Sequence, residues 1–209
     1  MDFKEIVKKR RSVNYFDKQK DVSEKLIREM IEIASGSPSG YNLQPWSVMI
    51  LKDPAEKERL KKLAFNQPKV SEAPCVFILL ADRDGWKEGT PIVEKNFRKS
   101  VDSGRKKEED REYYLNTLKK LYGETPDKQQ AFAVKNTAFF AMSLMYAAKK
   151  LGLDTHPMDG FDHDAVRKEF NIPDNYWVPL LLAVGHFDES KKLHPPNWRK
   201  TFDEIVVKF

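Results

Sequence analysis

Cys75-Val76-Phe77-Ile78-Leu79-Leu80-Ala81 is an unbroken apolar run in a chain of which 33% of residues are charged. A strand with one wet face alternates polar and apolar residues, so a run with no polar member predicts a strand covered on both faces. The segments on either side supply the covers. Upstream, Asp53, Pro54 and Glu56 provide an N-cap, an N1 proline and an N3 acid for a helix reaching about Ala64. Trp46 to Leu51 reads as a neighbouring strand. Ser23 opens another helix, with Leu26, Ile27, Met30, Ile31 and Ala34 on one stripe and a stop at Gly36. Asp2 and Glu5 form a capping-box start for the first helix, whose apolar face is Phe3, Ile6 and Val7.

Downstream, residues 83 to 108 are polar and mixed, and predict a loop or lid with short helical pieces. Glu109 to Tyr122 reads as a helix with Tyr113, Leu115 and Leu118 inward. Thr125-Pro126 opens the longest helix, ending near Gly152. Phe132, Ala138, Phe139, Met142, Met145 and Ala148 make it apolar around much of its circumference, as suits a core or a large subunit interface. A short helix from His163 to Phe170 precedes the last main strand, Trp177 to Phe187. After Lys191 come Pro195, Pro196 and Trp198, then an alternating segment, Glu204 to Val207. That tail predicts an arm ending in a strand laid on a partner subunit. No repeat or linker divides the chain. The expectation is one α+β domain over 1–209, with helices on both faces of one sheet and an arm over 191–209.

The 209 residues, 40% of them apolar, can build a sizeable core. The net charge of +5 comes from 37 Lys and Arg interspersed with 32 Asp and Glu. The most basic stretch, Arg98 to Lys107, runs directly into Glu108, Glu109 and Asp110, so nucleic acid is not the expected partner. The single cysteine, Cys75, excludes an intrachain disulfide and reads as a buried, inert thiol. The N-terminus lacks the apolar core of a signal peptide, and Asn136 to Ala148 is too short to span a bilayer. A cytoplasmic, soluble protein with no membrane partner is expected.

Function is written in other stretches. Ser37-Pro38-Ser39-Gly40-Tyr41-Asn42-Leu43-Gln44-Pro45-Trp46 joins a helix to a strand with restricted backbone and short neutral hydrogen-bonding groups. It reads as a rigid, uncharged surface for a flat heteroaromatic ligand, although an ordinary loop could use the same residues. Arg10, Arg11 and Ser12 follow the first helix. Two guanidiniums and a hydroxyl suit a phosphate, and cations at a helix C-terminus are also favoured by the macrodipole. In Pro157-Met158-Asp159-Gly160-Phe161-Asp162, Gly160 permits close backbone approach to a ligand, and Asp162 or His163 can cap the next helix. Histidines 156, 163, 186 and 194 lack metal-ligand spacing, so no metal is expected. No nucleophile triad, phosphate loop or carboxylate pair is present, which points to chemistry performed by a cofactor.

Taken in order, RRSVNYF, SPSGYNLQPW, PMDGFD and the late Arg199 before Glu204-Ile205-Val206 resemble the FMN-dependent nitroreductase family. The resemblance runs from about Lys8 to Val206. It implies a three-layer sandwich, a mostly antiparallel central sheet flanked by helices, in an obligate homodimer with FMN at the subunit interface and tails that embrace the partner. Carried over, Arg10, Arg11 and Ser12 would hold the phosphate and ribityl end, with Arg199 completing the cage. Pro38, Ser39 and Asn42 would come from the other subunit, with Gln44 at their edge. Asn66 or Gln67 would approach the pyrimidine, and the backbone of Pro157, Met158, Asp159 and Gly160 would lie beneath the ring. Asn14, counted among the cofactor-binding positions, stands where the family often carries Arg or Lys. Asn197 and Thr201 also depart from common family residues. The implied activity passes reducing equivalents from NADH or NADPH to an electron-poor acceptor, a nitroaromatic or quinone, by alternating half-reactions. No side chain is needed as a general acid, and Tyr41 is the expected substrate contact. A flavin carrier or sensor without turnover is the alternative.

Overall fold

In the computed structural model, which describes residues 2–208, the apolar run becomes strand β2 (Cys75–Asp82), buried at every position but the last. It pairs with β1 (Trp46–Leu51) on one side and with β5 (Leu181–Gly185) on the other. Strand β3 (Asp154–Met158) joins the far edge of β5, giving the order β1-β2-β5-β3, and the two-residue β4 (Tyr176–Trp177) extends the pairing of β2. All these named pairings are antiparallel.

The period of two along β2 sorts its side chains into two cores. Val76, Ile78 and Leu80 enter one cluster with Leu60 of α3 (Pro54–Leu63), Val70 of α4 (Pro68–Glu72) and Val166 of α8 (His163–Glu169). Cys75, Phe77 and Leu79 enter the other, with Ile27 and Met30 of α2 (Glu24–Ala34) and with Phe140, Leu144 and Ala148 of α7 (Pro126–Lys150). The result is the expected three-layer sandwich. Each large side chain so buried contributes about 1.5–3 kcal/mol. A third cluster closes the Ala81 end, where Val93 and Phe97 meet Tyr114, Leu118 and Phe132.

The caps explain why the helices begin and end where they do. Asp2 and Glu5 form the capping box of α1 (Phe3–Lys9), Ser23 caps α2, and Asp53 accepts from Ala55 and Glu56 at the start of α3. At the end of α7, Gly152 takes a φ of +81°, donating to Lys149 O, while Leu153 donates to Ala148 O. That is a Schellman ending, which only glycine enters without strain. Cys75 is buried, and desolvation pushes its thiol pKa up to about 12, as an inert side chain requires.

Four expectations are corrected. The supposed loop over 83–108 contains a 12-residue helix, α5 (Pro91–Asp102), whose Val93 and Phe97 are buried one turn apart. In α6 (Arg111–Leu118), Tyr114 is buried where Tyr113 was expected, and Tyr113 is exposed. The run from Trp177 to Phe187 is not one strand. It breaks between β4 and β5 across Pro179, which has no N–H for the ladder. The segment Glu204 to Val207 is not a strand either: Thr201 and Glu204 form a capping box that starts a short helix, α9 (Phe202–Ile205). Glu189 to Lys208 is exposed throughout. Among the described residues no helix is long and apolar enough to cross a membrane.

Candidate functional site

The stretch leaving α1 runs beside β3. Ser12 bridges Thr155 in parallel, Val13 donates to Thr155 O at 3.1 Å, and His156 Nδ1 lies 2.9 Å from Val13 O. This places Arg10, Arg11, Ser12 and Asn14 along the strand that ends in Pro157 and Met158. Gln67 Nε2 donates to Gly160 O at 2.7 Å and to Ala64 O at 3.1 Å. Lys69 Nζ reaches Gln67 Oε1 at 3.1 Å. Residues 10–14, 66–69 and 156–160 therefore form one group. The side chains of Arg10, Ser12 and Asn14 make no hydrogen bond among the described residues, and Arg11 spends one nitrogen on His194 O at 2.9 Å. Burial pushes the Lys69 ammonium pKa down. Burial first, and Lys69 second, do the same to His156.

The segment after α2 forms a second group. Gly40 N donates to Oδ1 of the buried Asn136, Gln44 N donates to Ser39 Oγ at 3.0 Å, and Asn96 Nδ2 donates to Asn42 O at 2.6 Å. Ser37 Oγ lies 2.7 Å from both Ala34 O and Ser143 Oγ. A Cβ on Gly40 would stand 2.5 Å from the Tyr122 hydroxyl, so glycine is required by the close approach. Pro38 and Tyr41 stay exposed on the outside of this fixed loop. These bonds hold the uncharged segment in one conformation.

Strain marks both groups. Tyr41, Asn42 and Gln44 have φ of 52°, 55° and 44°, and Phe65 and Asn66 have 52° and 54°. Left-handed backbone at non-glycine residues costs on the order of 1–3 kcal/mol each and persists where the surroundings enforce it. Phe65 is also left 70% exposed. Register shows how the groups relate. Met158 pairs with Leu181, Leu181 with Ile78, and Ile78 with Met49, so the 156–160 part of the first group and the 37–44 segment lie toward the same end of the sheet. Ser12, opposite Thr155, stands in the row of Val184 and Cys75. The two groups stand at opposite edges, three strand spacings or about 14 Å apart. No hydrogen bond among the described residues joins them. Arg199 sits on the exposed arm, donating to the carbonyls of Asn197 and Trp198, and is not brought to Arg10 and Arg11 within this chain.

The profile of the Nitroreductase family matches residues 7–186. The chain belongs to the nitroreductase family. A Thermus thermophilus protein named NADH dehydrogenase is 31% identical over 208 residues, covering 99% of this chain and 96% of its own. A Bacillus subtilis protein, provisionally named NAD(P)H nitroreductase MhqN, is 29% identical over 206 residues, covering 98% of each chain. An Exiguobacterium sibiricum structure, provisionally assigned as a nitroreductase in complex with FMN, superposes with a TM-score of 0.83 at 26% identity, covering 99% of this chain and 97% of that one. This nitroreductase-family chain is an oxidoreductase.

Two features of the site went unread in the sequence. Lys69 is a half-buried cation held by Gln67; its place after Pro68 gave a hint, since the proline starts α4 and fixes where the next residue points. The positive φ values gave little: asparagine, as at positions 42 and 66, is enriched in left-handed backbone, but tyrosine and phenylalanine carry no such mark.

Proposed function

We propose that the chain is an FMN oxidoreductase that passes reducing equivalents from NADH or NADPH to an electron-poor acceptor such as a nitroaromatic or quinone, and that two copies complete each site. The observation that carries this reading is that two strained groups, the 37–44 segment and the 65–69 turn bonded to Gly160, lie at one end of the sheet but at opposite edges. A second copy can bring its 37–44 segment to the 10–14 and 156–160 group. The relative holding FMN supports the choice of cofactor.

The donor set fits FMN. Arg10, Arg11 and Ser12 offer planar forks and a hydroxyl for a phosphate, and Arg199 would join them from the arm. Asn66, Gln67 and Lys69 offer amide and ammonium donors suited to the oxygen-rich edge of a pyrimidine. At Gly160 a Cβ would stand 3.2 Å from Gln67 Nε2 and 3.7 Å from Phe65, so glycine lets this turn pack closely against Gln67.

Bound there, FMN supplies the two-electron chemistry that links NAD(P)H to the acceptor. The chain's own residues bind and orient. The Lys69 ammonium would supply positive charge toward the ring, favouring its reduced form. The neutral Asn14 adds hydrogen-bonding capacity but no charge. The backbone of Pro157, Met158, Asp159 and Gly160 forms the floor. Pro38, Ser39, Asn42 and Gln44 of the second copy would close the site against water.

Purified protein should be yellow. Anaerobic NADH or NADPH should bleach it, and a quinone or nitroaromatic should restore the colour. Bleaching without recovery would instead identify a flavin carrier, and a colourless protein that takes up no added FMN would end the reading altogether.

A further inference from the structure

A cavity of about 590 Å³ opens beside Tyr41, lined by Asn42, Gln44, Ile92 and Tyr114 and by four cations, Lys95, Lys99, Arg105 and Lys106. Its size suits a small-molecule ligand. None of those four cations is in a salt bridge among the described residues. Their sequence neighbours are paired: Arg98 with Glu108 at 3.0 Å, Lys107 with Glu109 at 3.3 Å, and Arg111 with Glu94 at 2.9 Å. Acids thus neutralise the cations pointing elsewhere and leave the cavity positive. Such a concave single-sign field draws anions.

A second observation points into the same space. Tyr114 is 3% exposed, and its hydroxyl has no hydrogen-bond partner. Buried polar groups are normally satisfied, so an unsatisfied one lining a cavity awaits a ligand atom. Lys106 Nζ stands 5.5 Å from the Tyr114 ring centroid. The Tyr41 ring lies 6.0 Å from that of Tyr114, and its backbone is fixed through Asn96. An aromatic wall and a cationic wall therefore face one volume.

We propose that this cavity is a recognition subsite for a planar aromatic group bearing a negative charge, with the ring against Tyr41, the charge toward Lys95, Lys99, Arg105 and Lys106, and the Tyr114 hydroxyl as a buried hydrogen-bonding partner. The role of the subsite in turnover rests on the oxidoreductase reading; its geometry does not. Two molecules of such a cycle have this chemistry: the adenosine 2′-phosphate end of NADPH, and an acidic aromatic acceptor.

Calorimetric titration of the full chain as purified tests both sources. One arm compares adenosine 2′,5′-bisphosphate with adenosine 5′-monophosphate, and the other compares 4-nitrobenzoate with nitrobenzene. The more highly charged probe of one pair should bind about tenfold tighter, with the preference shrinking as salt is raised. Preference for the bisphosphate assigns the subsite to NADPH; preference for the nitrobenzoate assigns it to the acceptor. The preference should fall to about twofold or less in a Lys95→Gln/Lys106→Gln double variant and persist in Arg98→Gln/Lys107→Gln. Tyr114→Phe should weaken the charged probe several-fold while thermal stability holds or rises, because it deletes an unsatisfied buried hydroxyl. No charge preference in either pair, or a preference that survives the Lys95/Lys106 variant, overturns the proposal. FMN content, read separately by absorbance, keeps the two ideas apart. A yellow, active protein blind to probe charge retains the oxidoreductase and loses the subsite; a protein that cannot take up FMN yet discriminates charge does the reverse.

Discussion

Strand β2 and the arm over 189–208 are both rich in large apolar residues, yet one is buried on both faces and the other is exposed at every described position. In the arm, Leu193, Trp198, Phe202, Ile205, Val206 and Val207 all face outward, and Arg199 bonds only carbonyls of its own neighbours. Part of α7 behaves likewise, with Phe139 46% exposed on the face away from the sheet. Water tolerates scattered apolar residues, but a run of this kind on a projecting arm marks a surface that finds its cover elsewhere. The difference separates two tasks. The apolar surface of β2 is satisfied within one chain and supports the fold. The arm's is left over, and under the proposed reading it serves assembly and, through Arg199, the cofactor.

Removing the arm should have the largest effect. A chain ending at Ser190 keeps all five strands and every residue of the two principal cores. It should still melt cooperatively, but sediment as a monomer and lose most of its FMN. A yellow dimer from that truncation would erase the distinction between the two regions.

Single substitutions should sharpen it. Leu79→Ala empties a fully buried position in β2 and should cost about 2–5 kcal/mol, with a denaturation midpoint that falls at every protein concentration. Phe202→Ala removes an exposed ring, so its effect should appear as a concentration-dependent loss of dimer. Equal, concentration-independent losses in both would show that the arm packs on its own body.

Arg11 ties the arm to the body of the chain, since its guanidinium donates to His194 O. Arg11→Ala and Arg199→Ala should each remove a charge-assisted contact of about 1.5–3 kcal/mol, weakening FMN roughly tenfold to a hundredfold. Equilibrium titration of apoprotein with FMN measures this directly, and unchanged affinity in both variants would remove the arm from the cofactor site.

The sequence made the body legible because its signals are local. The capping box at Asp2, the cap at Asp53 and the unbroken run from Cys75 each specify an element without reference to the rest. Helix α5 was missed for the opposite reason. Its buried Val93 and Phe97 sit among charges whose partners, such as Glu108 for Arg98 and Arg111 for Glu94, lie 10 and 17 residues away. The arm was misread because Glu204 to Val207 alternates like a strand while Thr201, one turn upstream, captures Glu204 for a helix cap. In the site, the neutral loop after α2 and the Arg10-Arg11-Ser12 run were readable from residue type. Lys69 left only the hint of Pro68 before it, and the strained backbone of Tyr41 and Phe65 depends on tertiary contacts and left none.

Tyr41 carries the smallest of these effects and tests whether a strained, 44% exposed ring belongs to recognition or to packing. Its ring centroid is 6.0 Å from Tyr114 and 6.3 Å from Tyr122, contacts that hold it without burying it. A planar acceptor stacking on that ring gains about 0.5–1.5 kcal/mol, so Tyr41→Ala should raise KM for an aromatic acceptor between about twofold and twelvefold. Flavin reduction by NADH, which lacks the 2′-phosphate, followed by stopped flow, should stay within about threefold of the parent, since the fold and the FMN contacts are untouched. Alanine keeps much of the cost of a positive φ, whereas Tyr41→Gly relieves it. If the ring serves recognition, both variants lose acceptor affinity equally and only glycine gains thermal stability. Loss of FMN or of the dimer in both variants would instead make Tyr41 a packing residue, and would move that contact from recognition to the assembly surface that the arm represents.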